Sequence, residues 1–348
     1  LIILLHIILN KEMLTKYKYI KSKCIVLLPI FLALYNIKVG KIVISWYDII
    51  HILFFHKFNN HLLYQIIWKL RIPHTLAILI SGFSLSISGS VMQGLFRNPL
   101  SDPSLLGVSS GSQFFIVICW ILGAGSLWEF SLWMPLSSLI GGMLSILLLF
   151  YLSKYISLFN ISKLLLLGII LNMGISACSS IFILQLTNMQ LQELFIWNMG
   201  GIIQKNWHLL GISGLMTVIS FIILTSQSSK LDLLILGEID AIYSGVDIYK
   251  LKRNAMIGIA LSMSASVSLI GPIVFIGLIV PHIMRIISGS LHKKLIWHSG
   301  LAGSSLLLLT DNISRSFFKN FYLPLGIIIS LYGVPIFLFI MFRYNKEI

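Results

Sequence analysis

Acidic residues are the first candidates for chemistry, because a carboxylate inside a membrane is costly and usually serves ion or proton transfer. The chain has 11 Asp and Glu. Glu238, Asp240 and Asp247 lie in a polar stretch, and Asp311 lies just beyond the end of an apolar run. We predict no acid inside any of the apolar runs. This distribution argues against ion-coupled transport and leaves the source of energy open.

The sequence also lacks the motifs of nucleotide-binding sites, metal sites and catalytic nucleophiles. Gly89 and Gly94 have the spacing of a phosphate-binding P-loop, but Leu95 and Phe96 replace the Lys and the Ser or Thr that the motif needs. Apolar runs contain no histidine pair at the spacing of metal or haem ligands, and no Ser/His/Asp or Cys/His nucleophile can be assigned. We therefore predict no enzymatic activity and no cofactor. The cysteines stand singly in apolar runs and indicate neither a metal site nor a disulfide: Cys24, Cys119 and Cys178.

Small residues recur at helical spacing in two apolar runs. The positions are Gly82, Ser86 and Ser90 in the first run, and Ser262, Ser264, Ser266 and Ser268 in the second. Such a stripe lets helix backbones approach closely, which is the interpretation we favour. The alternative is a polar wall along a translocation path, and a helix at the centre of a bundle could serve both purposes.

The amino-acid composition indicates that these candidate residues are positioned by membrane-spanning segments. Of 348 residues, 57% are hydrophobic and 10% are charged, against about 25% charged in a soluble domain. The mean hydropathy is +0.95. A soluble globule is excluded, and a chain that crosses a bilayer many times is predicted. The net charge of +14 would suggest nucleic-acid binding in a soluble protein, but here it indicates topology, since Lys and Arg collect in cytoplasmic loops.

The apolar runs predict an all-α polytopic membrane protein with about ten transmembrane helices. Most Lys and Arg fall in loops on the side of both termini, which places both termini in the cytoplasm. Residues 37–70 are interrupted by polar side chains, and we expect an interfacial or reentrant segment there. The predicted spans are 24–36, 75–96, 104–122, 131–152, 164–187, 209–225, 254–270, 273–287, 300–310 and 324–342.

Domain organisation follows from the same map. Residues 1–23 are predicted to form a basic cytoplasmic segment, of which 1–12 precede Met13, the first methionine, and are expected to lie before the true start. Residues 24–343 form one transmembrane domain. Within it, the charged stretch 226–253 is predicted to be a cytoplasmic loop, because its acidic and basic side chains require water.

Five blocks of sequence carry a long and specific pattern: RIPHTLAILISGFSLSISGSVMQGLFRNPLSDPSLLGVSSG (71–111), IWNMGG (196–201), LGEIDAIYSG (236–245), GPIVFIGLIVPHIMR (271–285) and LPLGIIISLYGVP (323–335). These blocks resemble permease subunits of ABC importers for ferric siderophores, haem and cobalamin, the FecCD type. The resemblance implies a subunit that pairs with a second permease copy, as a homodimer, and binds two cytoplasmic ATPase subunits in the inner membrane. It also implies an extracytoplasmic substrate-binding protein and no nucleic-acid partner.

The resemblance implies an ATPase-coupling motif, E-x-x-A-x-x-x-G, at Glu238, Ala241 and Gly245. In such permeases this motif heads a pair of short cytoplasmic helices that dock on the ATPase. Alanine permits close helix contact, glycine allows the chain to turn, and Asp247 is available to cap the next helix.

The resemblance implies two further sites. Permeases of this type present arginines to glutamates of the binding protein, and the matching positions are Arg71, His74 and Arg315, with His74 in place of a common arginine. The inner gate falls at Ile161 and Ser162. Gate residues need only close a hydrophobic constriction, so many residue types would serve there.

The cargo is the open question. Gly200–Gly201 and the GEI start of the coupling motif are similar to cobalamin permeases, whereas Gly271–Pro272 is similar to the iron-chelate group. We predict a permease for cobalamin, with ferric siderophore or haem as the alternative within the family. An ion-coupled secondary transporter is the alternative from another class.

Overall fold

The computed structural model describes residues 18–40, 42–55, 61–123, 130–156, 161–201, 206–317 and 323–344. Every regular element in these ranges is helical. In chain order the α-helices are α1 (Lys18–Lys38), α2 (Trp46–Ile50), α3 (His61–Gln65), α4 (Ile72–Leu95), α5 (Val108–Ile121), α6 (Phe130–Ser153), α7 (Ile161–Ile183), α8 (Asn188–Asn198), α9 (Trp207–Ser226), α10 (Ser228–Leu234), α11 (Glu238–Tyr243), α12 (Ile248–Ile270), α13 (Ile276–Ser288), α14 (His292–Phe317) and α15 (Leu325–Tyr344).

Each predicted span coincides with one helix, so the all-α membrane fold is confirmed. Helices within 61–95, 133–153, 163–183, 207–226 and 248–270 are long and apolar enough to cross a membrane, and shorter apolar helices lie at 24–38, 108–121, 276–288 and 325–340. The remaining predicted span, 300–310, is too short, because α14 runs from His292 to Phe317. Asp311, which we placed just beyond the end of a span, lies inside this helix. Its position relative to the membrane stays a prediction.

Helices α4 and α12 form the centre of the bundle. In residues 61–95, which include α4, and in α12, 78% of the most apolar stretch is buried inside the protein. The two helices pack against each other; α4 also packs against α14 and α13, and α12 against α9 and α6. Buried hydroxyl groups join α4 to its neighbours: Ser88 Oγ lies 2.5 Å from Ser262 Oγ on α12, and Ser84 Oγ lies 2.8 Å from Thr217 Oγ1 on α9.

Small residues bring α4 close to its neighbours. A Cβ added at Gly82 would lie 2.5 Å from the carbonyl oxygen of Gly303 on α14, and one at Gly303 would collide with Ser86. A Cβ at Gly89 would collide with the carbonyl oxygen of Gly277 on α13. The four predicted serines of α12 are also buried. These contacts support the packing interpretation of the small-residue stripes.

Replacement of Gly82 by valine should therefore separate α4 from α14. We expect the free energy of unfolding of the variant to fall by about 1–3 kcal/mol, the usual cost of overpacking, or by more because the backbones must move apart. The matched control is Gly211→Val on α9, where an added Cβ meets nothing within 4 Å. Thermal unfolding of both variants in mild detergent makes the comparison. Equal unfolding temperatures for the two would show that the close approach is not needed.

Two of the helices at predicted spans are shorter than a bilayer is thick. Helices α5 and α13 have 14 and 13 residues, about 20 Å each at 1.5 Å per residue. Irregular backbone at membrane depth is tolerated only where protein covers it. The turn Pro103–Leu106 before α5 meets this condition, since a Cβ at Gly277 on α13 would lie 3.2 Å from Pro103.

The predicted interfacial segment divides into two parts. The first is α2 with the π-helical turn His51–Phe55, and Ile44 and Ile49 pack there in a small core that it shares with Ile67 of the second part. The second is α3 with the π-helical turn Ile66–Arg71, and it runs directly into α4. Residues 61–95 are thus one continuous helical rod of 35 residues, about 52 Å long and longer than a bilayer core.

Candidate functional site

The predicted coupling loop folds as two short helices, α10 and α11, followed by the start of α12. Helix α12 begins at Ile248, so the loop ends before the predicted limit at residue 253. The early start has a local cause: Asp247 Oδ1 accepts a hydrogen bond of 3.0 Å from the backbone N–H of Lys250. That bond lowers the pKa of Asp247 and keeps the carboxylate charged at the positive end of the helix. The predicted cap is confirmed.

The three motif residues have separate structural tasks. Ala241 is fully buried, and its carbonyl oxygen accepts the N–H of Val246 at 2.9 Å, which closes the turn after α11. Gly245 has a φ of +84° in this turn, a conformation that favours glycine. Glu238 Oε1 accepts a hydrogen bond of 3.0 Å from Lys252 Nζ on α12. Glu238 therefore ties α11 to α12 and does not project from the surface.

The opposite face of this segment is apolar and exposed. Leu236 is 68% exposed, Ile239 70%, Ile242 51% and Tyr243 86%. We call these four residues the coupling face. The motif comparison missed them, although their spacing of i, i+3 and i+4 from Ile239 is the signal for one side of a helix. An apolar face at the tip of a charged segment is typical of a protein-binding surface.

Two of the three predicted docking residues, His74 and Arg315, meet at Asp311, near the opposite end of the bundle. His74 Nε2 lies 3.1 Å from Asp311 Oδ1, and Arg315 Nε lies 2.9 Å from Asp311 Oδ2. Asn36 Nδ2 on α1 donates a further hydrogen bond of 2.7 Å to Oδ2. Asp311 itself is fully buried. Three helices, α1, α4 and α14, are thus joined by one carboxylate.

Arg71 points into the protein rather than toward the surface. Its guanidinium donates hydrogen bonds of 2.5 and 2.7 Å to the carbonyl oxygens of Ile37 and Lys38, and a third to that of Ile42. Arg71 is 6% exposed and His74 3%, while the Arg315 side chain keeps 16%. The structure therefore joins His74 and Arg315 through Asp311, holds Arg71 on backbone carbonyls, and turns most of the charge of all three inward. Docking of a binding protein stays a prediction, and Arg315 is the member nearest to solvent.

The predicted gate lies at the start of α7. Ile161 and Ser162 are the first two residues of that helix, and their side chains lie outside the described residues. The rest of α7 is the least buried of the five long apolar helices, since other parts of the protein cover only 17% of its most apolar stretch. Ile170, Met173 and Ile181 are among its exposed apolar residues. This face is free to meet lipid or another chain.

Gly200 and Gly271, which belong to the motifs that we compared between cobalamin and iron-chelate permeases, have a structural role. Gly200 and Gly271 have positive φ values of 75° and 73°. A Cβ at Gly271 would collide with the carbonyl oxygen of Trp197, and one at Gly326 would lie 2.5 Å from that of Met199. These motifs thus let the end of α8, the loop before α13 and the start of α15 pack backbone to backbone.

Comparisons with known proteins agree with this architecture. The sequence pattern described as the FecCD transport family matches residues 27–343. A vitamin B12 import system permease protein from Pectobacterium atrosepticum is 35% identical over 281 residues, which are 80% of this chain and 82% of that relative. A hemin transport system permease protein from Yersinia pestis is 31% identical over 93% of this chain and 95% of its own.

A solved structure shows the same fold. It is described as an inward-facing conformation of a metal-chelate type ABC transporter, and it superposes with a TM-score of 0.78 at 30% identity. The match covers 92% of this chain and 97% of that one.

Proposed function

The chain belongs to the FecCD transport family, and on this basis we propose that it is the membrane permease subunit of an ATP-driven importer for a large metal chelate. We propose that it works in the cytoplasmic (inner) membrane and hydrolyses no ATP itself. The observation that carries the proposal is the coupling face. Leu236, Ile239, Ile242 and Tyr243 expose an apolar surface on helices that are themselves fixed to the bundle, as a docking site for an ATPase requires.

The proposed partners are two ATPase subunits, a second copy of this permease and an extracytoplasmic binding protein. The exposed apolar side of α7, with Ile170 and Met173, and that of α15, with Leu331, support pairing with a second copy. The cluster around Asp311 supports docking at the other end, with Arg315 as the cation available to an acidic partner. The two docking sites lie at opposite ends of the bundle, which suits a subunit that receives cargo on one side and energy on the other.

We propose cobalamin as the cargo. Its support is the 35% identity to vitamin B12 permeases, including those of Pectobacterium atrosepticum and Klebsiella pneumoniae. Haem is the competing cargo, because the hemin permease matches a longer part of the chain at 31% identity. Both are large, planar-ring metal chelates, so the same path could carry either.

Uptake by proteoliposomes tests the cargo. The vesicles hold this permease with its ATPase and binding protein, and labelled cobalamin is offered with and without excess haem or a ferric siderophore. We expect ATP-dependent cobalamin uptake that unlabelled cobalamin reduces and haem does not. Uptake of labelled haem with no uptake of cobalamin would overturn the choice of cargo while keeping the transport mechanism.

A secondary transporter driven by ions is less well supported. Among the described residues, the buried acids that such a carrier could use are Asp102 and Asp311. Asp102 Oδ1 caps the turn Pro103–Leu106 by accepting the backbone N–H of Ser104, and the two oxygens of Asp311 are already occupied by His74, Arg315 and Asn36. A carboxylate held in this way resembles a structural ion pair more than a site that binds and releases an ion.

A further inference from the structure

Asp232 and His292 form a polar contact between α10 and α14 that is separate from the coupling motif. Asp232 Oδ1 accepts the backbone N–H of His292 at 2.9 Å and the ring Nδ1–H at 2.6 Å. The His292 side chain is fully buried, and that of Asp232 is 27% exposed. One carboxylate oxygen therefore holds both the main chain and the side chain of the first residue of α14.

The contact replaces a cap that α14 lacks in its own sequence. The residue before the helix is Leu291, which has no side-chain acceptor for the free N–H groups of the first turn. Asp232, 60 residues earlier in the chain, supplies that acceptor. The start of α14 is thus defined by a residue of the coupling segment.

His292 also contacts the end of α4. A Cβ added at Gly94, in the last turn of α4, would collide with His292 Nε2. Among the described residues, Nε2 has no hydrogen-bond partner, which fits a neutral ring with its proton on Nδ1. Helix α10 itself packs against α4, α14 and α11. The imidazole therefore lies between the coupling segment and the helix at the centre of the bundle.

The coupling segment is consequently fastened at two points. Glu238 bonds to Lys252 on α12, and Asp232 bonds to His292 on α14. Arg285, in the last turn of α13, is close enough to interact electrostatically with Asp232. The coupling face is formed by exposed residues of α11 and by Leu236 just before it. A displacement of that face can therefore reach the bundle through both contacts.

We propose that Asp232 and His292 act as a latch that passes movement of the coupling face to α14 and α4. This inference rests on the proposed function and deepens it. Asp232 and His292 are positioning residues: they lie outside the coupling face, and they set how far the helices follow the docked ATPase. Breaking the latch should leave the ATPase bound and active but uncouple hydrolysis from transport.

The variants exploit the geometry of the ring. His292→Asn can place its amide N–H near the position of Nδ1 and keep the bond to Asp232, whereas His292→Gln places its amide near Nε2 and loses it. Asp232→Ala removes the acceptor. Asp240→Ala is the matched control, because it removes an exposed acid of the same segment that forms no ion pair with the rest of the described chain.

The measurement is cargo transported per ATP hydrolysed in proteoliposomes with ATPase and binding protein, together with co-purification of the ATPase. We expect His292→Gln and Asp232→Ala to lower the ratio about tenfold, with the ATPase still bound and the double variant no worse than either single one. His292→Asn and Asp240→Ala should stay near the wild-type ratio.

Two results would overturn the latch: equal ratios for His292→Asn and His292→Gln, or additive losses in the double variant. Wild-type uptake tests the proposed function by itself, whereas the ratio of variant to wild type tests the latch. The two claims can therefore fail separately.

Discussion

Replacing Tyr243 by aspartate should cause a large loss of ATP-driven uptake, because it weakens docking of the ATPase. Tyr243 is the most exposed member of the coupling face. An aromatic anchor at the centre of an interface typically contributes about 2 kcal/mol or more, and aspartate would also leave a carboxylate buried and unpaired. Such a loss weakens binding by at least about 30-fold. Co-purification of the ATPase and uptake in proteoliposomes both report it.

The control for this prediction is Tyr155→Asp. Tyr155 is 75% exposed and lies in the turn Lys154–Ile156, on the same predicted side of the membrane but on another element. It should keep both ATPase binding and uptake. Normal uptake by Tyr243→Asp, or equal losses in the two variants, would mean that the coupling face is not the docking site.

Asp311→Ala should destabilise the permease more than any other single loss of a charged side chain described above. Its carboxylate joins α1, α4 and α14, and its removal leaves His74, Asn36 and Arg315 without their shared acceptor. Breaking a buried ion pair by removing one partner costs about 3–5 kcal/mol. We expect a large drop in the unfolding temperature in mild detergent, and poor yield from membranes.

Asp311→Asn separates charge from shape, because asparagine keeps the volume and one acceptor. It should fall between the wild type and Asp311→Ala. The exposed Asp240→Ala should change stability by no more than about 0.5 kcal/mol. If Asp311→Ala unfolds at the wild-type temperature, the cluster does not hold the three helices together.

Local signals made most of the fold predictable. Apolar runs located every long helix. The turn and the helix start of the coupling segment were predictable because the residues that form them are close in sequence. Asp247 caps α12 through Lys250, three residues away, and Gly245 turns the chain two residues after α11 ends. Such features depend on a few neighbouring residues and on general propensities. Their physical basis can therefore be recognised in the amino-acid sequence by itself.

Distant partners were not predictable in the same way. The family comparison predicted exposed cations at Arg71, His74 and Arg315. In the structure, His74 and Arg315 pair with Asp311, and Arg71 donates hydrogen bonds to backbone carbonyls. His74 and Asp311 are 237 residues apart. A single sequence has no signal for such a pair, because neither residue shows its partner in its own neighbourhood. The contact between Asp232 and His292 was missed for the same reason.

The glycine motifs show a second limit. We weighed the pairs Gly200–Gly201 and Gly271–Pro272, with the GEI start of the coupling motif, to choose a cargo. In the structure Gly200 and Gly271 have a positive φ and close backbone contacts. A residue that is needed for backbone packing says little about what passes through the protein, so the cargo has to come from transport measurements.

The most direct test of the central claim is the source of energy for uptake. Proteoliposomes with permease, ATPase and binding protein are loaded with ATP, and ionophores remove every ion gradient. Our account predicts that labelled cobalamin still enters, and that vesicles with an imposed ion gradient but no ATP take up none. Uptake that follows the ion gradient and ignores ATP would contradict the assignment as an ATP-driven permease.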